Sequence, residues 1–172
     1  MKTRVLLRSA QPGDVAALHA LFAEPAVYRY LADGAAPPQS VSEAWVAADR
    51  SRGLGLWLLS HGDRIDGCVR LSEYGEPRIA ELTYLLHPRV WGRGLATRMS
   101  WTVMQRAFAT GAIDAIIAGA DVPNGASIAV MRRLAMQFRR EVQYPLGKGV
   151  EYRLGVADSA PDPPPESIPL AP

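Results

Sequence analysis

The chain has 172 residues, 48% of them hydrophobic and 21% charged, ordinary proportions for one soluble domain with a real core. Cys68 is the only cysteine, which excludes a disulfide scaffold and a cysteine-rich structural zinc site and fits a reducing compartment. No apolar run approaches the roughly 20 residues of a membrane helix. The opening Met1 to Arg8 lacks the apolar stretch and cleavage site of a signal peptide, so a cytoplasmic protein is expected.

Nineteen basic residues stand against 17 acidic ones, a net charge of +2. Three of the acids (Asp158, Asp162 and Glu166) lie in the last 16 residues, so the body alone is more basic. Seventeen of the basic residues are arginine, whose planar fork suits phosphate. They are scattered, with no stripe interleaving them with aromatics, so neither a nucleic-acid nor a membrane partner is indicated.

In chain order, Val5 to Arg8 reads as a strand, and Gln11-Pro12-Gly13-Asp14 as a helix start. Val15, Leu18, Leu21 and Phe22 then form an amphipathic stripe. Glu24-Pro25 ends that helix, and a short one covers Val27 to Leu31. A Gly- and Pro-rich loop leads to an N-cap at Ser40 or Ser42 and a helix to about Arg52. From Gly55 the period changes to two. Leu56 to Ser60, Ile65 to Tyr74 (with Gly67 as a bulge) and Ala80 to His87 predict an antiparallel meander. Beyond Pro88 the pattern predicts a helix over Leu95 to Phe108, a strand over Ile113 to Gly119 and a helix over Ser127 to Ala135. Closing strands follow near Phe138 to Tyr144 and Gly149 to Val156. The fold class is α/β, a mixed, mostly antiparallel sheet flanked by helices. Residues 1–156 form one domain. Residues 157–172, with six prolines, bury too little apolar surface to offset ordering entropy and are expected to be disordered and dispensable.

The chemistry concentrates between Glu81 and Thr97, where a strand runs into a glycine-containing turn that opens a helix. Gly92 and Gly94 let the backbone curl and present N–H groups. The helix start leaves further N–H groups unsatisfied, with a dipole favouring an anion. Arg93 and Arg98 are placed to add charge-assisted bonds. A dinucleotide fingerprint needs a third glycine, and a phosphate-binding P-loop needs GxxxxGK[ST]; neither is present. A glycine-rich helix start without a ligand remains the plain alternative.

Leu86 to Thr97 resembles motif A of the GNAT superfamily of acyl-CoA-dependent N-acyltransferases. Gly94 and Ala96 match the Gln/Arg-x-x-Gly-x-Gly/Ala pattern, and Trp91 stands at the Gln/Arg position. The Trp-Gly-Arg-Gly run is similar to the RimJ/RimL-like branch, which acetylates protein N-termini and assorted amines. Arg8 to Asp14, Val27 to Leu31, Asn124-Gly125-Ala126-Ser127 and Leu134-Ala135-Met136 resemble further segments of that branch, in its order, over roughly residues 3 to 155. Two departures stand out. Ala135 replaces a usual glycine, and Met131 sits near the position of the tyrosine that serves many members as general acid.

The resemblance implies an N-acetyltransferase with acetyl-CoA as co-substrate, an amine acceptor and no metal, and it leaves a homodimer open. It implies that the amides of Trp91, Gly92, Arg93, Gly94, Leu95, Ala96 and Thr97 hold the pyrophosphate. The backbone at Leu85 and Leu86 would pair with the pantetheine arm, with Asn124 bonding the pantetheine or ribose. Glu81 is the expected base, on one strand face with Thr83, Leu85 and His87; a carboxylate in an apolar cleft has a raised pKa. Glu73 and His87 are lesser substitutes. Ser127 would donate to the departing sulfur, although a serine there is also an ordinary N-cap. Tyr28, Tyr30, Trp45 and Tyr84 would line the acceptor pocket or pack in the core. A non-catalytic acyl-CoA-binding or regulatory module of the same fold is the rival reading.

Overall fold

The computed structural model describes residues 6–31, 33–61, 64–158, 160–162 and 164–171. Its strands are β1 (Leu6–Ser9), β2 (Gly55–His61), β3 (Arg64–Glu73), β4 (Ile79–Leu86), β5 (Ala115–Asp121), β6 (Gln137–Tyr144) and β7 (Gly147–Gly155). The helices are α1 (Val15–Phe22), α2 (Pro25–Tyr28), α3 (Gln39–Ala47), α4 (Leu95–Ala109) and α5 (Gly125–Arg133). One sheet runs β1-β2-β3-β4-β5-β7-β6. Its neighbours are antiparallel except for β4 and β5. The expected class and element order hold, with ends shifted by a few residues. The helix expected to reach Arg52 stops at Ala47, with a 3-10 turn over Ser51–Gly53. Its N-cap is Pro38 rather than a serine.

Alternation along the strands sends side chains to two cores. Leu56 and Leu58 of β2 join Cys68 beneath Leu18, Leu21 and Phe22 of α1. Trp57 and Leu59 join Val69, Leu71, Ile116 and Leu154 beneath α4 and α5. Met99, Val103, Met104 and Ala107 make the inward stripe of α4, all fully buried. Each large apolar side chain buried this way contributes about 1.5–3 kcal/mol. The bulge expected at Gly67 falls one residue earlier: Leu59 pairs with Gly67 and Ser60 with Ile65, leaving Asp66 as the extra residue. Gly67 answers a different need, because a Cβ there would strike Leu86 and the Leu85 carbonyl.

The feature that positions the site is an incomplete pairing. β4 and β5 are registered only from Ile79 to Glu81 against Ala115 to Ile117. Beyond that the two strands splay, and a cavity of about 1370 Å³ opens between them.

The proline-rich segment departs from expectation. Among its described residues, Pro161 and Ile168 are buried against the body, although most of the others are exposed. Ile168 is 2% exposed and joins the α4-side core. Leu7 donates to the Pro169 carbonyl (3.1 Å) and accepts from the Ala171 N–H (2.8 Å), so the segment pairs with the outer edge of β1.

Candidate active site

At one end of the cavity the chain makes a glycine turn. After a 3-10 turn at Pro88–Val90, Gly92 and Gly94 take φ values of 73° and 68°. That left-handed region costs other residues roughly 1–2 kcal/mol. A Cβ on either glycine would meet open space, so it is φ and not crowding that requires glycine here. Arg98 is the first residue of α4 to bond back, to the Gly94 carbonyl at 3.1 Å. The N–H groups of Leu95, Ala96 and Thr97 therefore have no partner within the helix, and they line the cavity. The Thr97 hydroxyl is buried there without a partner among the described residues. Orphaned donors at the positive end of a fifteen-residue helix fit a pyrophosphate. Arg93, Arg132 and Arg133 also line this cavity. Arg98 is engaged by the proline-rich segment, with Nη2 2.9 Å from Glu166 and Nε donating to the Glu166 carbonyl at 3.1 Å.

The floor is the free flank of β4. Tyr74 N–H bonds to the Ile79 carbonyl and His87 N–H to the Asp66 carbonyl, so odd-numbered residues of β4 turn their backbone to β3. Leu85 is thus occupied with its β3 neighbour Cys68. The backbones of Leu82, Tyr84 and Leu86 face the splay. Of the two residues expected to offer their backbone to a ligand, only Leu86 is turned that way. Trp91 does not offer the amide expected of it: its backbone N–H is given to the Pro88 carbonyl at 3.1 Å, and its indole N–H donates to the Leu86 carbonyl at 2.7 Å.

Side chains from opposite faces of β4 meet the cavity. Glu81, with Thr83 and Leu85, lies on the α1 face. Its surface opens to the cavity while protein packs behind it, and this partial loss of water raises its pKa; Arg70 opposes the rise and Glu151 adds to it. Arg70 itself stacks on Trp45 at 4.8 Å. Tyr84 points to the α5 face, with its hydroxyl 2.7 Å from Ser127 Oγ and 2.9 Å from the Ser127 carbonyl. The cap of α5 is Asn124, whose side chain accepts from Ser127 N–H at 3.2 Å. Ser127 is therefore not the N-cap, and its hydroxyl is left for other work.

The remaining candidates separate. His87 accepts from Arg89 N–H (3.2 Å), and its other nitrogen lies 3.7 Å from Glu24, as a strand-end residue. Glu73 pairs with Arg52 away from the cavity. Met131 is fully buried core. Tyr30 lines the cavity, whereas Trp45 packs edge-on against Phe22 at 4.9 Å. Sequence reading missed Tyr144, whose ring lies across Gly119 and Gly149, where any Cβ would collide with it. Burial and nearby carboxylates, Glu151 first, push its hydroxyl up to about 12. Pro161, Asp162 and Pro165 were missed as lining residues, as were Arg132 and Arg133. Among the described residues no cluster of three metal-ligating side chains occurs, and no helix is long and apolar enough to cross a membrane.

Several solved structures share this fold. An acetyltransferase of the GNAT family from Bacillus anthracis superposes with a TM-score of 0.75 at 16% identity, over 92% of this chain and 98% of that one. The protein yncA from Salmonella typhimurium, solved with its cofactor acetyl-CoA, gives 0.76 at 17% identity, over 91% and 96%. An acetyl transferase from Salmonella typhimurium that modifies the N-terminal serine of the ribosomal protein L7/L12 gives 0.73 at 22%, over 89% and 95%. The family model for the acetyltransferase (GNAT) domain matches residues 4–137, most of the chain, and the chain therefore belongs to the GNAT acetyltransferase family.

Proposed function

We propose that this protein transfers an acetyl group from acetyl-CoA to a primary amine, a protein N-terminus or a small-molecule amine, in the manner of the RimJ/RimL-like branch. The observation that carries the reading is the placement of Glu81 and Ser127 on opposite faces of β4, at the splay beside the anion-binding turn. Acetyl-CoA supplies a thioester whose carbonyl carbon the neutral amine attacks, releasing the thiol. The amides of Gly92 to Thr97 bind the pyrophosphate, and the Leu86 backbone pairs with the pantetheine arm. Glu81 accepts a proton from the incoming ammonium, directly or through water. From the other face the Ser127 hydroxyl donates a hydrogen bond to the departing sulfur. Asn124 holds the Ser127 backbone through Oδ1, and its amide NH2 is the group for the expected bond to the pantetheine or ribose.

The test is thiol release from acetyl-CoA across peptides with free N-termini and small amines. Release is expected with at least one acceptor. Glu81→Gln should lower kcat by roughly 100-fold at neutral pH, the scale of general-base loss, while CoA still raises Tm. A base works only as its carboxylate, so a raised Glu81 pKa moves the acid limb of the parental rate profile above the ordinary glutamate range. The residual activity of the variant should climb with pH as the amine loses its proton unaided. Met131, buried where many relatives carry an acidic tyrosine, favours the rival reading of a non-catalytic acyl-CoA-binding module. A Tm shift with CoA, but no thiol release with any amine, would establish that module instead.

A further inference from the structure

Tyr84 is a phenol in the cavity wall to which the scheme above assigns nothing. It stands on β4, and its hydroxyl crosses the splay to α5, meeting both the hydroxyl (2.7 Å) and the carbonyl (2.9 Å) of Ser127. A phenol carries one proton and a carbonyl only accepts. Both contacts are satisfied at once when Tyr84 donates to the carbonyl and the Ser127 hydroxyl donates to the Tyr84 oxygen. On the other side, Asn124 accepts from Ser127 N–H at 3.2 Å. Ser127 is thus held twice, by its backbone from α5 and by its side chain from β4.

We propose that Tyr84 is the positioning residue for Ser127, holding its hydroxyl at the splay and becoming a donor to Ser127 Oγ when that hydroxyl turns to the departing sulfur. The proposal rests on the reading of Ser127 as the group that donates to sulfur. In the working arrangement the Tyr84 O–H swings from the Ser127 carbonyl to Ser127 Oγ, and the Ser127 O–H turns from Tyr84 to sulfur. No proton leaves the tyrosine. Burial pushes its hydroxyl up to about 12, against the effect of the Ser127 bond, so it stays a neutral donor through the range in which amines react. A donor fed from behind by a second donor is polarised and strengthened.

The experiment is a double-mutant cycle of Tyr84→Phe, Ser127→Ala and the pair, read as kcat, as KM for acetyl-CoA and as Tm, at a temperature where circular dichroism shows every variant folded. Tyr84→Phe should lower kcat roughly tenfold, less than the roughly 100-fold of a lost proton-transfer group, with KM for acetyl-CoA unchanged. On the Ser127→Ala background the same change should cost nothing further in kcat, because its effect runs through the missing hydroxyl. A purely structural Tyr84 would lower Tm on both backgrounds and leave kcat alone, which overturns the proposal. Equal losses of kcat on both backgrounds overturn it too, as they would make Tyr84 act independently. If Ser127→Ala keeps parental kcat, the donor role of Ser127 fails. That outcome overturns the proposal together with the reading of Ser127, whereas a slow Ser127→Ala with equal Tyr84→Phe losses on both backgrounds overturns the proposal alone.

Discussion

The glycine turn at residues 91–97 and, in the proline-rich segment, Pro161, Asp162 and Pro165 line the same cavity, yet turn and segment carry their structure differently. The turn is encoded locally. Gly92 and Gly94 hold φ values of 73° and 68° that other residues avoid, and the unpaired N–H groups follow from any helix start. The proline-rich segment has no local code. It is held by a few long-range bonds: the pairing of Pro169 and Ala171 with Leu7, the Ile168 N–H given to Thr102 Oγ1 at 3.0 Å, and the Ile168 side chain in the core. The segment's own donors are Ile168 and Ala171, while Pro169 supplies only a carbonyl, to the Leu7 N–H. An unpaired edge at β1 offers the complementary row, and proline loses less freedom on ordering than other residues do. Composition reports the lack of a core-forming pattern but not the groove waiting for one isoleucine.

The largest effect expected along this contrast is at the turn. Gly94→Asp places an L-residue at φ 68° and a carboxylate where the pyrophosphate would lie. The affinity for CoA should fall by roughly 100-fold, since a charge-assisted contact of roughly 1.5–3 kcal/mol is replaced by repulsion. The CoA-dependent rise in Tm, measured by scanning fluorimetry, should vanish. A shift equal to the parent's would remove the anion-site reading of the turn.

Next in size is removal of residues 157–172. Re-exposing Ile168 and breaking its backbone bonds should cost about 2–4 kcal/mol and lower Tm by several degrees in a chain of this length. Because Pro161, Asp162 and Pro165 wall the cavity, the affinity for CoA should change as well. An unchanged midpoint would return the segment to the disorder that its composition suggested.

The smallest effect applies the rule of the turn where the chain breaks it. Ala135 follows α5 at φ 59°. Ala135 N–H bonds to Arg132 and Met136 N–H to Met131, the paired closure of a helix end that favours glycine at this position. Ala135→Gly should raise stability by about 0.5–1 kcal/mol in urea unfolding, the relief of left-handed strain less the added freedom of the unfolded chain. A loss of stability would mean that the methyl packs well enough to outweigh its strain.

The sequence by itself determined the elements and the glycine turn. Periodicity marked the buried stripe of α1 at Leu18, Leu21 and Phe22 and the helical repeat of α4, because burial selects apolar residues at the repeat of each element. The spacing of Gly92 and Gly94 marked the turn, because backbone conformation there is a property of single residues. Tertiary structure alone decided the rest. Which backbone groups of β4 are free depends on where β5 stops pairing, and that leaves Leu86 rather than Leu85 facing the splay. Whether Ser127 caps its helix or frees its hydroxyl depends on Asn124 taking the cap, and what that hydroxyl then meets depends on Tyr84, 43 positions away in sequence. Tyr144 reaches the cavity only because neither Gly119 nor Gly149 carries a side chain beneath its ring. Such contacts join residues far apart in the chain, and their energies arise only once the sheet has brought them together.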